Sequence, residues 1–405
     1  MIWPLQENLV SPDEFKIAAD YLLAAKRVTQ NVKVREFEEA YSRWQGCPYS
    51  VFVNSGSSAN LLLVAAALEL YGWPREAEVL VPAVTWPTTV TPVVQLGLRP
   101  VFVDANLQDL SVDYDDLASK ITPNTRAVFL AHILGFPGDT HKIKEIIADR
   151  PIALLEDSCE SLGATVHGSK VGNSGLGSTF SFYWGHHMTT IEGGMVCTHN
   201  EELYHLLLLK RSHGLARELP VARHAEIRAA HPDNNFNFLF LSDGYNVRST
   251  ELNAVLGLEQ LKRIDSVIAR RNSNYELFAR IMHKYSRHFI VPERDGYSSF
   301  ALPLLCRIFA IKRHLEAYLA EMGIETRPLV GGNLLRQPFL KYLSTGQHLP
   351  NADFLHTNAF YIGNNQFVDE QRLEVLSSAL EKFFDEIERC RRMEGAWAHS
   401  LNQGH

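Results

Sequence analysis

From Glu78 to Asp157 the chain repeats one pattern, a short β-rich run ending in a polar residue and then a helical stretch. The runs are Val79-Leu-Val-Pro, Pro100-Val-Phe-Val-Asp, Ala127-Val-Phe-Leu-Ala and Ile152-Ala-Leu-Leu-Glu-Asp, with helical stretches at 90–96 and 141–148 between them. Strands that alternate with helices imply a mainly parallel sheet covered on both faces. Functional groups of such a sheet gather beyond the carboxyl ends of its strands. Upstream, 34–44 has Phe37, Tyr41 and Trp44 at helical spacing and is predicted to be amphipathic. Downstream, 178–183 and 195–198 are predicted to be a strand pair around a tight connection, and 249–271 one long helix crossing between domains. A strand at 300–306 and helices at 312–322 and 369–391 complete a smaller α/β unit. With 405 residues to place, the expected division is a large domain over 1–265 and a smaller carboxyl-terminal domain over 266–405.

The formal net charge of -7 argues against a general nucleic-acid binder, which needs a basic footprint. Five scattered cysteines, with no CxxC or CxC pair, read as reduced thiols rather than a disulfide framework. No basic stretch followed by an apolar one opens the chain, and no apolar run is long enough to span a bilayer. A soluble, cytoplasmic protein with no membrane partner is expected.

Three segments could hold chemistry. In Asn54-Ser-Gly-Ser-Ser-Ala-Asn60, a small-residue turn opens an apolar helix, and free amides with the helix dipole favour an anion there. Many such turns are only caps. In Glu156-Asp157-Ser-Cys-Glu160, an acid emerging from a strand suits a pyridinium nitrogen or a metal; a helix cap is the plain alternative. In Ser181-Phe-Tyr-Trp-Gly-His186-His187-Met-Thr-Thr-Ile-Glu-Gly193-Gly194, paired histidines beside aromatics suggest proton transfer, although a buried structural pair would look the same. Zinc is not expected, because no cysteine or carboxylate lies at ligand spacing on the same element.

The order of these segments, with Thr85-Trp86-Pro between the first two, resembles the sugar-nucleotide aminotransferases, the DegT/StrS family of pyridoxal-phosphate enzymes. Val34-Arg-Glu-Phe-Glu-Glu, Gly244-Tyr-Asn246-Val-Arg, Gly323-Ile-Glu-Thr-Arg327-Pro and 356–364 extend the likeness over most of the chain. It implies an α/β fold of type I, aspartate-aminotransferase-like, with a large cofactor domain and a smaller carboxyl-terminal one. By this resemblance Gly56, Ser57, Ser58 and Ser181 bind the cofactor phosphate, and Trp86 stacks on the pyridine ring. Asp157 pairs with the ring nitrogen and keeps the ring an electron sink, and Glu160 lies near the ring hydroxyl. Asn246 reaches the phosphate of a neighbouring subunit's cofactor, which implies a homodimer with shared active sites. His213 and Arg327 are implied on the substrate side.

One departure bears on the reaction. The family has its Schiff-base lysine where this chain has His186, and Lys170 and Lys210 read as a surface turn and a helix end. An imidazole cannot form a Schiff base, but it moves protons near neutral pH. The Tyr183-x-x-His186-His187 pattern resembles the sugar 3-dehydratase subgroup. That implies non-covalently held pyridoxal or pyridoxamine 5'-phosphate, re-aminated by L-glutamate, with His186 as acid and base. The reaction implied is C3 dehydration of a nucleotide-linked 4-keto-6-deoxy sugar, GDP-linked, on a deoxysugar route to O-antigen or lipopolysaccharide. An iron–sulfur variant needs four thiolates, and only Cys306 and Cys390 lie in the later half. Ile191, where relatives usually have Gly, and Trp184-Gly185, in place of Pro-Ala, depart from the family pattern. Transamination with altered chemistry and a non-catalytic binding protein are the alternative readings.

Overall fold

The computed structural model describes residues 2–343 and 346–402, with side chains described to residue 389. Thirteen strands arise in chain order among these residues. They are β1 (Tyr49–Val53), β2 (Glu78–Pro82), β3 (Arg99–Val103), β4 (Thr125–Ala131), β5 (Ala153–Asp157), β6 (Thr165–Val166), β7 (Ser169–Lys170), β8 (Gly177–Ser181) and β9 (Gly194–Thr198), then β10 (Phe289–Ile290), β11 (Ala301–Cys306), β12 (Thr326–Pro328) and β13 (Ala359–Gly363).

Seven of them form the large sheet, in the order β1-β9-β8-β5-β4-β2-β3. Its pairings are parallel except at β9, which runs antiparallel to both β1 and β8. The near-continuous apolar runs in the sequence follow from burial on both faces: all of β2 and all of β4 except Arg126 are buried. Helix Gly56–Tyr71 lies against the sheet through Ala59, Leu62, Leu63 and Ala66. The carboxyl ends of β1, β2, β4, β5 and β8 deliver Ser55, Thr85, His132, Asp157 and Ser181 to one rim. Because β9 is reversed, the connection 182–193 begins and ends on that rim.

The second sheet is antiparallel, ordered β10-β11-β13-β12. Helices Phe309–Glu321, Pro350–Asn358 and Glu370–Asn402 accompany it. The amino-terminal segment joins this sheet too, since Trp3 bridges Ile324 and its Nε1 donates to the Gly363 carbonyl at 3.1 Å. The predicted helix over 249–271 is two helices, Glu251–Leu261 and Ile264–His283. Arg263, with φ −116° and ψ 4°, leaves the helical path between them. Its guanidinium is held there by both carboxylate oxygens of Glu14, at 3.0 and 3.1 Å.

Candidate active site

At the rim of the large sheet, facing the second sheet, lies a cavity of about 630 Å³. One wall is the start of helix Gly56–Tyr71. Ser55 caps it, its Oγ accepting the Ser58 N–H at 3.1 Å, while Ser58 Oγ turns back to donate to Asn54 Oδ1 at 2.6 Å. Gly56 is required by close packing: a Cβ there would stand 2.6 Å from Ser181 Cβ and 3.2 Å from Cys159 Sγ. Gly56, Ser57 and Ser181 line the cavity, as does Ser55, whereas Ser58 belongs to the cap. Amide donors, hydroxyls and the positive end of a helix dipole converge here, which suits a phosphate.

Asp157, 7% exposed at the end of β5, forms the floor. Its Oδ2 accepts from Asn60 Nδ2 and Thr89 Oγ1, both at 2.8 Å, and its Oδ1 accepts the Cys159 N–H at 3.1 Å. Thr85 Oγ1 lies 2.8 Å from Thr89 Oγ1 and donates to it, since Thr89 has given its own proton to Asp157. The carboxylate is thus fixed by neutral donors, with no basic side chain paired to it among the described residues, and is fit to pair with a pyridinium. Its neighbour Glu156 plays a different part. Burial alone would raise its pKa, but His132 and the Gly172 and Gly175 N–H groups hold it below the usual carboxylate range. The Gly138 N–H donates to His132 Nδ1 at 3.1 Å, so His132 carries its proton on Nε2 and donates to Glu156 at 3.2 Å.

Glu160 accepts the Leu134 N–H at 2.8 Å. Burial pushes its carboxyl up to about 7, against the Leu134 N–H, and the nearby Asp157 carboxylate adds to the rise. A carboxyl whose folded pKa lies above its ordinary 4.5 contributes stability that is fully present below pH 4.5 and is lost as pH rises through 7. The rise corresponds to roughly 3 kcal/mol. Glu160→Gln removes the titration. The melting temperature of the cofactor-free variant, relative to wild type, is therefore expected to rise between pH 5 and pH 8. An offset that is the same at both pH values would refute the assignment.

The 182–193 connection supplies another wall. The His186 N–H donates to the Tyr183 carbonyl at 3.0 Å, the Phe182 N–H to the Gly193 carbonyl at 2.9 Å and the Thr190 N–H to the Phe182 carbonyl at 3.0 Å. The His186 carbonyl is gripped by Arg271 Nη2 at 3.1 Å and Gln6 Nε2 at 3.4 Å. Arg271 also donates to the Phe300 carbonyl at 3.0 Å, and the His186 ring packs 5.2 Å from that of Phe300. Burial pushes His186 down to about 4, its contact with the Cys159 backbone raises it, and Arg271 lowers it further. The ring is therefore neutral at physiological pH, and its buried Nδ1 has no hydrogen-bond partner. The two adjacent histidines differ in role. His187 is 1% exposed with Nε2 within 3.2 Å of the Ser298 carbonyl and 3.1 Å of Ser298 Oγ, a core residue.

Ile191 adopts φ 71°. The backbone there does call for the left-handed region that glycine enters freely, and a β-branched residue holds it at a cost of about 1–2 kcal/mol.

The cavity lining also includes His186, Asp157, Glu160, Trp86, Tyr183, Trp184, Gly185 and Arg327. Trp86 is 57% exposed, a ring face free for stacking. Arg327 Nη2, on β12, reaches Glu325 just before that strand at 3.2 Å. Asn246 and His213 lie outside the cavity on an exposed surface, joined by the His213 N–H donating to the Tyr245 carbonyl at 2.7 Å. Among the described residues no lysine lines the cavity. Lys170 binds the Trp44 carbonyl, and Lys210 pairs with Glu69 at 2.6 Å and Asp243 at 2.8 Å. Sequence reasoning missed Asn60, Thr89, His132 and Arg271. Of these, Asn60 left a signal, a polar residue one turn into an otherwise apolar helix.

Two proteins and one solved structure resemble this chain over most of its length. GDP-4-keto-6-deoxy-D-mannose 3-dehydratase of Escherichia coli O55:H7 is 36% identical over 404 residues, covering 96% of this chain and 99% of that protein. A solved structure of the E. coli GDP-4-keto-6-deoxy-D-mannose-3-dehydratase with bound hydrated PLP superposes with a TM-score of 0.87 at 35% identity, over 94% of this chain and 100% of that one. The lipopolysaccharide biosynthesis protein RfbH of Salmonella typhimurium is 32% identical over 372 residues, 86% of this chain and 84% of that protein. The sequence pattern of the DegT/DnrJ/EryC1/StrS aminotransferases matches residues 12–380, and the chain belongs to that family.

Proposed function

We propose that this chain is a pyridoxamine-phosphate-dependent 3-dehydratase of a GDP-linked 4-keto-6-deoxy sugar, re-aminated by L-glutamate. The observation that carries this reading is His186. It is a neutral imidazole lining a cavity whose described lining has no lysine. The site fits the cofactor: Ser55, Gly56, Ser57 and Ser181 would hold its phosphate, Asp157 its ring nitrogen, Trp86 its ring face, and Glu160 would lie by its hydroxyl. When bound, the cofactor supplies an amine for the C4 ketone and an electron-accepting ring. His186 would take up a proton on its imidazole and return it to the departing C3 hydroxyl, so that water leaves and hydrolysis yields ammonia with the 3-deoxy-4-keto sugar. Arg271 and Gln6 fix the backbone from which it acts. No amine competes for the cofactor, which leaves elimination as the open course.

Two further assignments belong to this reading. Asn246 and His213 serve a second copy's cavity, because both are exposed and neither lines their own; the working unit is a homodimer. No helix of the described residues is long and apolar enough to cross a membrane, in keeping with a cytoplasmic enzyme of deoxysugar and lipopolysaccharide assembly. The chain divides near residue 265 into a cofactor-binding unit and a carboxyl-terminal unit.

The test is a spectrum of purified protein with pyridoxal phosphate, then borohydride, then glutamate. Free-aldehyde absorbance, no reducible protein adduct and conversion to the amine form by glutamate are expected. A borohydride-trapped lysine adduct would return the chain to ordinary transamination, as would an amino sugar among the products.

A further inference from the structure

Glycines around the cavity are mostly dictated by their neighbours. A Cβ at Gly193 would stand 2.2 Å from Thr190 Oγ1, and one at Gly194 would stand 2.3 Å from the Ser55 carbonyl oxygen, much as at Gly56. Gly185 is different. Its φ lies outside the left-handed region, and a Cβ built on it would meet nothing nearer than the Tyr183 ring, at 3.7 Å. It occupies, with Trp184, the centre of the turn closed by the His186 N–H and the Tyr183 carbonyl. A turn without positive φ accepts most residues at that place. Neither backbone nor packing therefore demands glycine here. What the missing side chain does leave is open space bordering the cavity, immediately before His186.

We infer that Gly185 and Trp184 form the subsite for the hexose ring, Gly185 as clearance and Trp184 as its flat apolar wall. Trp184 lines the same cavity and is 42% exposed, so part of its indole is open to a ligand. An aromatic wall beside a residue without a side chain selects by shape. A substituent on the sugar beside the carbon served by His186 fits only while position 185 is bare. The inference rests on the nucleotide-sugar reading and adds the residues that admit the sugar itself.

The experiment measures binding rather than turnover. GDP-mannose and GDP are titrated calorimetrically into cofactor-loaded wild type, Gly185→Ala, Gly185→Leu and Trp184→Ala. One added carbon is expected to weaken GDP-mannose about tenfold and the leucine about 100-fold or more, in line with the discrimination that methylene-sized changes produce. Trp184→Ala is expected to weaken it about tenfold. GDP affinity and the absorbance of the bound cofactor should stay put in all three. The alanine variant meets only an ordinary contact, so it folds even if the leucine variant does not. Unchanged GDP-mannose affinity in Gly185→Ala would overturn the proposal. So would an equal loss for GDP, or a wild type that does not distinguish the two ligands. Failure of the dehydration reading looks different: the binding differences persist, but no ammonia is released from the 4-keto sugar.

Discussion

Asparagine in place of His186 is expected to lower turnover of the keto sugar by about 10²–10⁴-fold, the usual weight of a positioned acid–base group. The amide is close in size to the imidazole and can keep a donor towards the Cys159 backbone, but it cannot accept a proton. Arg271 and Gln6 hold the residue through its backbone carbonyl, so the 182–193 connection should keep its place. Nδ1 has no partner to lose, and the melting temperature should change little. Steady-state ammonia release and a thermal melt check both halves of the prediction. A fall of less than tenfold would move the proton-transfer role to another group. The pH dependence gives a second check. His186 is lowered to about 4, so its base form is present above that pH and lost only below it. Glu160, held up at about 7, is expected to give a limb near neutrality, and Glu160→Gln should remove that limb.

Asp157→Ala is expected to cost more in the fold itself. Asn60 Nδ2 and Thr89 Oγ1, on residues at 1% and 0% exposure, would both lose their acceptor. Each buried donor left unsatisfied costs about 1–3 kcal/mol, so a loss of roughly 2–6 kcal/mol is expected for the cofactor-free protein. Asp157→Asn separates this from function. Its amide oxygen can take the place of Oδ2 and keep both donors, while its N–H₂ group would face the Cys159 N–H and the pyridine nitrogen. The asparagine variant should melt within about 1–2 kcal/mol of wild type yet bind pyridoxal phosphate at least about 100-fold more weakly. Denaturant melts and absorbance titrations decide. Equal cofactor affinity in wild type and Asp157→Asn would show that the carboxylate charge is not what holds the ring.

What the sequence disclosed about this site was local. Gly56 and Ser57, Asp157 and His186 each sit in a run whose neighbours announce a strand end, a helix start or a tight turn. The four strand ends could be read because burial on both faces leaves continuous apolar runs. Contacts across the fold left far fainter traces. Asn60 and Thr89 come from two different helices to meet one carboxylate oxygen, and Arg271 reaches the catalytic connection from the helix that leads to the second sheet. Adjacent histidines cannot be sorted by pattern; only packing shows that His187 faces Ser298 while His186 borders the cavity. Ser58 looked equivalent to Ser57 until the capping geometry turned its hydroxyl to Asn54. The helix break at Arg263 has no proline or glycine to mark it, being set by the reach of one guanidinium to Glu14.

The lone reversed strand, β9, has a consequence for how this chemistry can be rewritten. The connection 182–193 leaves from β8 and returns into β9, with Ser181 paired to Gly194 and the Phe182 N–H on the Gly193 carbonyl at 2.9 Å. Both ends are clamped by one antiparallel pair on a single rim, and the tip between them bears none of the sheet's hydrogen bonding. The segment behaves as an exchangeable cassette. Imidazole or amine, bare glycine or bulky neighbour can be traded at its tip without resetting the register of any strand, so one scaffold can host different reactions through a handful of substitutions in a closed loop.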